Sequence, residues 1–170
     1  NVENSVVHFT LDGFTKKPVQ TPRGQQYVIT AEGATPILKK GAPDVSKMTA
    51  SVIIPDLDRM KIEVTDAQYK DFENIEVAPS KGNLYRNVNP DDVPYEYGPE
   101  YKKNQFYPAE EAMLRTPYIL RDYRGQAIVV HPFRYNPVTK TLRVYYDITV
   151  EVSSTGELGE NILERKKDLT

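Results

Sequence analysis

Apolar and polar residues alternate most regularly near the carboxyl end of the chain. Across residues 142–152 every second side chain is apolar, and the side chains between them are polar or charged apart from Tyr145. A period of two over so long a run predicts a half-buried antiparallel strand, with Tyr145 facing outward. The side chains predicted to face the core are Leu142, Val144, Tyr146, Ile148, Val150 and Val152.

A second strand-like run precedes this one. Residues 126–135 read QAIVVHPFRY, and residues 136–140 read NPVTK, in which Asn and Pro favour a turn. We therefore predict a β-hairpin in which residues 126–135 pair with the strand at 142–152.

Shorter runs of β-branched and aromatic residues recur along the rest of the chain, separated by Pro, Gly, Asp or Asn. They predict strands at residues 6–11, 26–30, 50–54, 60–65, 75–78 and 118–121. Residues 109–115 have a helix-favouring composition but lie between Pro108 and Pro117, which leaves one helical turn or a further strand open.

Many short strands without a long amphipathic helix predict an all-β fold, an antiparallel β-sandwich of jelly-roll-like type. The sandwich is predicted to span residues 1–152. Residues 153–170 are polar and are expected to form a tail that leaves it.

Residues 79–101 interrupt the succession of strands with several Pro and Gly residues. Connections longer than about 12–15 residues are uncommon in compact domains and are usually functional or disordered. Tyr85, Tyr95, Tyr97 and Tyr101 argue for order here, either by packing on the sandwich or by forming a contact surface. We predict one long, ordered surface loop.

Composition then removes several classes of function. The chain has 170 residues, 39% of them hydrophobic, which suits one domain with a core of its own. A formal charge of −2 with interspersed signs argues against nucleic-acid binding, and no apolar run is long enough for a membrane span. The absence of cysteine excludes a thiolate metal site and a thiol nucleophile within the chain.

Other catalytic groups are sparse. His8 and His131 both fall in strand-like runs, no serine lies in a G-x-S-x-G turn, and phosphate-binding glycine motifs are missing. The acidic pairs at 91–92 and 110–111 lack the spacing of a calcium loop. We therefore predict no catalytic residue, no metal site and no cofactor.

Several sequence blocks occur in a consistent order between residues 60 and 152. They are APSKG at 78–82, NP at 89–90 with VPY at 93–95, ILRD at 119–122, RGQ at 124–126 and YNPVTKTLR at 135–143. These blocks resemble the propeptide of the gingipain family of cysteine proteases, peptidase family C25, and most closely that of its arginine-specific members.

The resemblance implies an antiparallel β-sandwich prodomain that shields the catalytic cleft, assists folding of the protease and is removed by proteolysis. In that family a surface loop inserts a basic side chain into the S1 specificity pocket, and the matching position in residues 80–87, SKGNLYRN, is Arg86. Leu84, Tyr85 and Asn87 would flank it. The bond between Arg86 and Asn87 is then a candidate cleavage site, and residues 83–89 are expected to run extended through the cleft.

Three other arginines compete with Arg86. Arg23 and Arg124 each precede a glycine and are expected in turns, and Arg165 lies in the polar tail, which would lead toward a catalytic domain outside this chain.

The resemblance further implies a cognate gingipain-like catalytic domain as partner. It also implies export, through a periplasmic stage to the cell surface or the medium. Two alternatives remain: a carbohydrate- or protein-binding β-sandwich, motivated by the twelve tyrosines, and an enzyme using carboxylates or a metal, motivated by the acidic pairs.

Overall fold

The computed structural model describes residues 3–165, whose regular elements are β-strands and two short 3-10 helices. The strands are β1 (Asn4–Thr10), β2 (Thr15–Thr21), β3 (Gly24–Thr30), β4 (Thr35–Pro36), β5 (Ser46–Ile54), β6 (Asp58–Phe72), β7 (Ala112–Leu114), β8 (Tyr118–Leu120), β9 (Tyr123–Val130), β10 (Phe133–Asn136) and β11 (Thr141–Leu158). The 3-10 helices cover Pro90–Asp92 and Pro99–Lys102. All pairings between these strands are antiparallel, which confirms the predicted all-β class.

Strand β11 is the centre of the first sheet. β6 pairs along one edge of it, and β1 and β10 share the other edge, β1 opposite residues 147–153 and β10 opposite residues 141–144. β11 is thus paired on both edges, and the pleat of the strand alternates its side chains between core and surface over much of its length.

The second sheet is built around β5 and β9. β7 and β8 pair with successive parts of β9, and β4 pairs with the start of β5. β2 and β3 form a separate hairpin, which joins the rest of the molecule through a bridge between Tyr27 and Val77 and through a hydrogen bond from the Ile29 N–H to the Asp44 carbonyl (3.1 Å).

The core lies between the sheets in two clusters. One cluster combines Ile54, Ile128 and Val130 of the second sheet with Ile148 and Val150 of the first. The other includes Ile29, Val45, Val77, Phe133 and Leu142 and lies beneath the β2–β3 hairpin and the start of the long loop. Apolar side chains of two sheets buried against each other are the defining feature of a sandwich.

The predicted hairpin before β11 is present but shorter than expected. β10 pairs with the start of β11, and the Asn136 Oδ1 accepts hydrogen bonds from the N–H groups of Val138 (3.0 Å) and Thr139 (3.3 Å), which stabilises the turn. The prediction of one strand over residues 126–135 is wrong. Pro132, which has no N–H, separates β9 from β10, and the chain changes sheets there.

A β-bulge alters the alternation in β11. The register with β6 shifts between Tyr145 and Asp147, so Tyr145 is buried (2% exposed) and Tyr146 is 47% exposed. The prediction had these two tyrosines the other way round. A bulge redirects side chains locally, and nothing in a strict period of two signals it.

Three shorter segments also test the sequence pattern. Residues 75–78 are not a strand, since Val77 makes only an isolated bridge. The sequence pattern does not predict β2, because Lys16, Lys17 and Pro18 give it a composition atypical of a strand. In the ambiguous segment 109–115 the structure contains strand β7.

The last strand continues beyond Val152 to Leu158, so the boundary predicted at residue 152 falls within β11. Residues 159–165 then pack back on the sandwich, where the Leu163 N–H donates to the Asp56 carbonyl (2.8 Å). The rest of the predicted tail, residues 166–170, lies outside the described residues. In the described range no helix is long and apolar enough to cross a membrane.

Candidate functional site

The long loop begins on a firmly anchored backbone. Pro79 and Ser80 are buried, and the N–H of Ser80 donates to the Ala42 carbonyl (2.8 Å) while the N–H of Gly41 donates to the Ser80 carbonyl (2.9 Å). The Asp44 N–H likewise donates to the Ala78 carbonyl (2.8 Å). Residues 41–44 therefore hold the start of the loop as a neighbouring strand would.

The far end of the loop returns to the same segment. The N–H of Gly98 donates to the Gly41 carbonyl (2.8 Å), and a Cβ added to Gly41 would lie 3.1 Å from the Gly98 nitrogen. Gly41 also has φ +84°, a conformation that side chains disfavour. A glycine at 41 is thus required both by the backbone conformation and by the close approach of the returning chain.

Arg86 and Asn87 are the central residues of a tight turn at the tip of the loop. The Val88 N–H donates to the Tyr85 carbonyl (3.0 Å), which closes the turn. The expectation that residues 83–89 run extended is therefore wrong. The reversal of direction at residues 85–88 places Arg86 at the exposed bend of a folded loop.

The two arms below this tip are joined by Lys81. Its ammonium donates to the Pro90 carbonyl (2.7 Å) and lies 4.3 Å from the ring centroid of Tyr95. The Asn89 Oδ1 accepts from the Asp91 N–H (3.0 Å) and caps the 3-10 helix that follows. Residues 82–89 consequently form a small closed lobe.

Arg86 and the residues predicted to flank it differ in exposure. Tyr85, Arg86 and Asn87 are exposed, with Tyr85 at 82%, while Leu84 is half-buried. Within residues 3–165, Arg86 forms neither a hydrogen bond nor an ion pair, so its guanidinium is available to a partner.

Two other tyrosines of the loop, Tyr97 and Tyr101, attach it to the sandwich. The Tyr97 hydroxyl donates to the Gln26 side chain, and the Tyr101 hydroxyl donates to the Val77 carbonyl (2.7 Å). The two rings meet edge to face at 4.9 Å. These tyrosines pack the loop, and they are not free to stack on a bound sugar.

The electrostatics of the loop base follow from burial. Burial raises the pKa of Asp44 to about 6, with partial opposition from Lys17. Burial, followed by the nearby charges of Asp44 and Asp91, raises the pKa of Tyr95 above its ordinary value. Burial also raises the pKa of Tyr101 far above its ordinary value, so this hydroxyl remains a hydrogen-bond donor.

The competing arginines all have partners inside the molecule. Arg23 does lie in a turn, where its guanidinium stacks 3.7 Å from the ring centroid of Tyr97. Arg165 pairs with Asp56 (2.7 Å). The turn expected at Arg124 is wrong: Arg124 lies in β9, fully buried, and donates to backbone carbonyls.

The two histidines lie in different environments. The His8 Nε2 contacts Asp147 (2.7 Å) on the surface of the first sheet, whereas the His131 Nδ1 contacts the Glu110 carbonyl (2.7 Å) in a buried position. Across residues 3–165, no three His, Asp or Glu side chains are grouped closely enough to hold a metal ion.

Sequence reasoning did not identify Lys81 or Ser80 as parts of the site. Both lie in the APSKG block, but their role depends on contacts with Pro90 and with residues 41–42, which are remote in sequence. The signal available in the sequence was the glycine at position 82, which favours a bend. In the structure Gly82 has a φ of +82° and lies against Lys40, where the lobe begins.

Comparison with known proteins gives a consistent family. The Propeptide_C25 family model matches residues 2–170. Gingipain R1 of Porphyromonas gingivalis is 44% identical over 160 residues, which is 94% of this chain and 16% of that protein. Gingipain R2 of the same organism is 40% identical over 166 residues, 98% of this chain and 23% of its own length. The chain thus spans less than a quarter of the length of these relatives.

Two solved structures share the fold. The complex of Porphyromonas gingivalis RgpB pro- and mature domains aligns with a TM-score of 0.93 and 39% identity, covering 98% of this chain and 87% of that one. A structure described as giving insight into the zymogenic latency of gingipain K aligns with a TM-score of 0.76 and 20% identity, covering 92% and 90%. The second likeness concerns the fold alone.

Proposed function

This chain belongs to the C25 propeptide family of the gingipains, and on that premise we propose that it keeps a gingipain-like cysteine protease latent by placing Arg86 in the specificity pocket of the protease. The chain is a propeptide domain and not the catalytic domain. Its partner would be the catalytic domain of its own precursor.

The observation that carries this proposal is the position of Arg86. Its guanidinium is exposed at the tip of an anchored turn, and it forms no ion pair or hydrogen bond with residues 3–165. A guanidinium offers two parallel N–H donors to a carboxylate, so an acidic pocket would bind it in one orientation. Because the turn is already formed, binding loses little conformational entropy.

The turn also suits an inhibitor that is cut slowly. Arg86–Asn87 is the central peptide of the turn closed by Tyr85 and Val88, so its carbonyl is presented on a folded chain. Misplacing reacting atoms by about 1 Å can slow an enzymatic step ~100-fold. Arg86 can therefore occupy the pocket while the Arg86–Asn87 bond reacts slowly.

The test is inhibition of the mature protease of the same precursor, or of the mature domain of Gingipain R2, by the purified chain. Arg86→Ala should raise the inhibition constant ~30- to 1,000-fold, about 2–4 kcal/mol, as loss of a central anchor does. Arg115→Ala, which also removes an exposed arginine, is the matched control and should leave inhibition unchanged. Equal inhibition by wild type and Arg86→Ala would exclude Arg86 as the anchor.

Assistance in folding and export belong to the same proposal. We expect the chain, added in trans, to raise the yield of active protease on refolding of the catalytic domain. We also expect the precursor to pass through the periplasm to the cell surface or medium, which fractionation of expressing cells would check.

A further inference from the structure

We propose that Lys81 is a positioning residue that keeps the tip in its turn, so that the loop acts as an inhibitor and resists cleavage as a substrate. This inference rests on the proposed function, because it concerns the same encounter with the protease. Lys81 determines how long the inhibition lasts, whereas Arg86 determines whether the protease is inhibited at all.

Lys81 joins the two arms of the lobe through a contact between residues nine positions apart. The neighbouring side-chain contact, from Asn89 to Asp91, lies within one arm. Its ammonium donates to the Pro90 carbonyl (2.7 Å) and lies over the Tyr95 ring at 4.3 Å. Lys81 and Pro90 thus form the narrow base of the lobe, which we call its neck. Within residues 82–89, the backbone hydrogen bond from the Val88 N–H to the Tyr85 carbonyl closes only the tip of the lobe. Besides the bond at the tip, the hydrogen bond from Lys81 to Pro90 is the one that connects the two arms within residues 3–165, so it limits how far they separate.

The arms are fixed to the sandwich on either side of this neck. Ser80 is 3% exposed and pairs through its backbone with Gly41 and Ala42. Gly98, beyond the second arm, donates to the same Gly41. The segment between these anchors is the part of the loop that the contact of Lys81 with Pro90 holds closed.

Opening of the lobe would make the Arg86–Asn87 bond a better substrate. Hydrolysis adds one water molecule across this peptide bond, breaks its C–N bond, and leaves a carboxylate on Arg86 and an ammonium on Asn87. The reaction requires the carbonyl carbon to align with the protease nucleophile. A chain folded back at residues 85–88 opposes that alignment, and loss of the contact at the neck allows the chain to extend.

The experiment compares wild type, Lys81→Met and Lys81→Arg as inhibitors of the mature protease, with cleavage followed by intact mass. Lys81→Met should be cut at Arg86–Asn87 about tenfold faster than wild type, and its inhibition should decay at the same faster rate. Its initial inhibition constant should rise by no more than about threefold, because the loosened turn loses some preorganisation while the Arg86 anchor is kept. Lys81→Arg keeps a cationic donor and should restore slow cleavage. Lys61→Met, in the exposed face of β6, is the matched control and should behave as wild type.

A second variant keeps the test possible if Lys81→Met fails to fold. Asn89→Ala removes the cap at the start of the second arm without touching Lys81, and it should also accelerate cleavage. An unchanged cleavage rate in folded Lys81→Met would overturn the role of Lys81, whatever Asn89→Ala does; if Lys81→Met does not fold, an unchanged rate in Asn89→Ala would overturn it. A weaker initial inhibition without faster cleavage would overturn it too, since it would indicate direct contact of Lys81 with the protease. If wild type itself did not inhibit, the proposed function would fail first.

Discussion

Arginine serves two opposite purposes in this chain. Arg86 is exposed and unpaired within residues 3–165, whereas Arg124 is fully buried and donates to the carbonyls of Pro55 (2.9 Å), Asp58 (2.6 Å) and Asn161 (3.0 Å). A buried guanidinium costs free energy unless its donors are satisfied, and backbone carbonyls satisfy it here. Arg124 therefore fastens the segment after β11, and Arg86 remains free for a partner.

Tyr85 extends the contact surface beyond the guanidinium. It is 82% exposed beside Arg86, and aromatic residues next to an arginine are frequent sources of binding energy. We predict that Tyr85→Ala raises the inhibition constant ~5- to 30-fold, about 1–2 kcal/mol, in an inhibition assay with the mature protease. Tyr146→Ala on the first sheet, where the ring is 47% exposed, is the control. Equal effects of the two substitutions would count against a specific contact at Tyr85.

Among the elements, the segment 41–44 is the one on which the loop depends. It holds both ends of the loop through Ser80 and Gly98, and it packs over the second core cluster at Val45. Loops positioned by a rigid scaffold are the usual carriers of binding residues. The inhibitory geometry is consequently a property of this segment as much as of the loop itself.

Gly41→Ala tests this dependence. The added Cβ would lie 3.1 Å from the Gly98 nitrogen and 3.2 Å from the Gly98 Cα, at a φ of +84°. Both atoms belong to the backbone, so no side-chain rotation relieves these contacts. We expect a loss of about 1–3 kcal/mol in the free energy of unfolding, measured by denaturant titration. Gly13→Ala has open space around its Cβ and should be nearly neutral. A neutral Gly41→Ala would show that the returning chain can move away at little cost.

At the scale of the whole molecule, Asp44 makes stability depend on pH. Its pKa is raised from 3.8 to about 6 by burial, so the folded state retains a proton that the unfolded state releases between these values. The contribution of Asp44 to the free energy of unfolding is greatest below pH 3.8 and falls as the pH rises to about 6. His131 acts in the opposite direction, because burial lowers its pKa and the unfolded state alone takes up a proton as pH falls below 6.5.

Asp44→Asn separates the two effects, since His131 is common to both proteins. At pH 7 the variant should be more stable than wild type by about 2–3 kcal/mol, and the difference should shrink as pH falls through 6 toward 4. Chemical denaturation at several pH values measures this difference. A constant difference across the range would mean that Asp44 ionises normally in the folded state.

The sequence by itself determined the elements whose signal is local. Alternation over 142–152, the Asn-Pro turn at 136–137 and the Pro- and Gly-rich stretch at 79–101 predicted the central strand, the hairpin and the long loop. Motif blocks along the chain pointed to Arg86. A period of two and a turn residue follow from the chemistry of neighbouring residues, so they can be read without a fold.

Only the tertiary structure decided how the loop is presented. The turn at residues 85–88, the contact from Lys81 to Pro90 and the pairing of Ser80 with segment 41–42 depend on which parts of the chain meet in space. For the same reason Tyr145 rather than Tyr146 is buried, and Arg124 lies in a strand and not in a turn. Packing between remote segments outweighs local preference at these positions, and it is packing that leaves Arg86 exposed at the tip of a closed lobe.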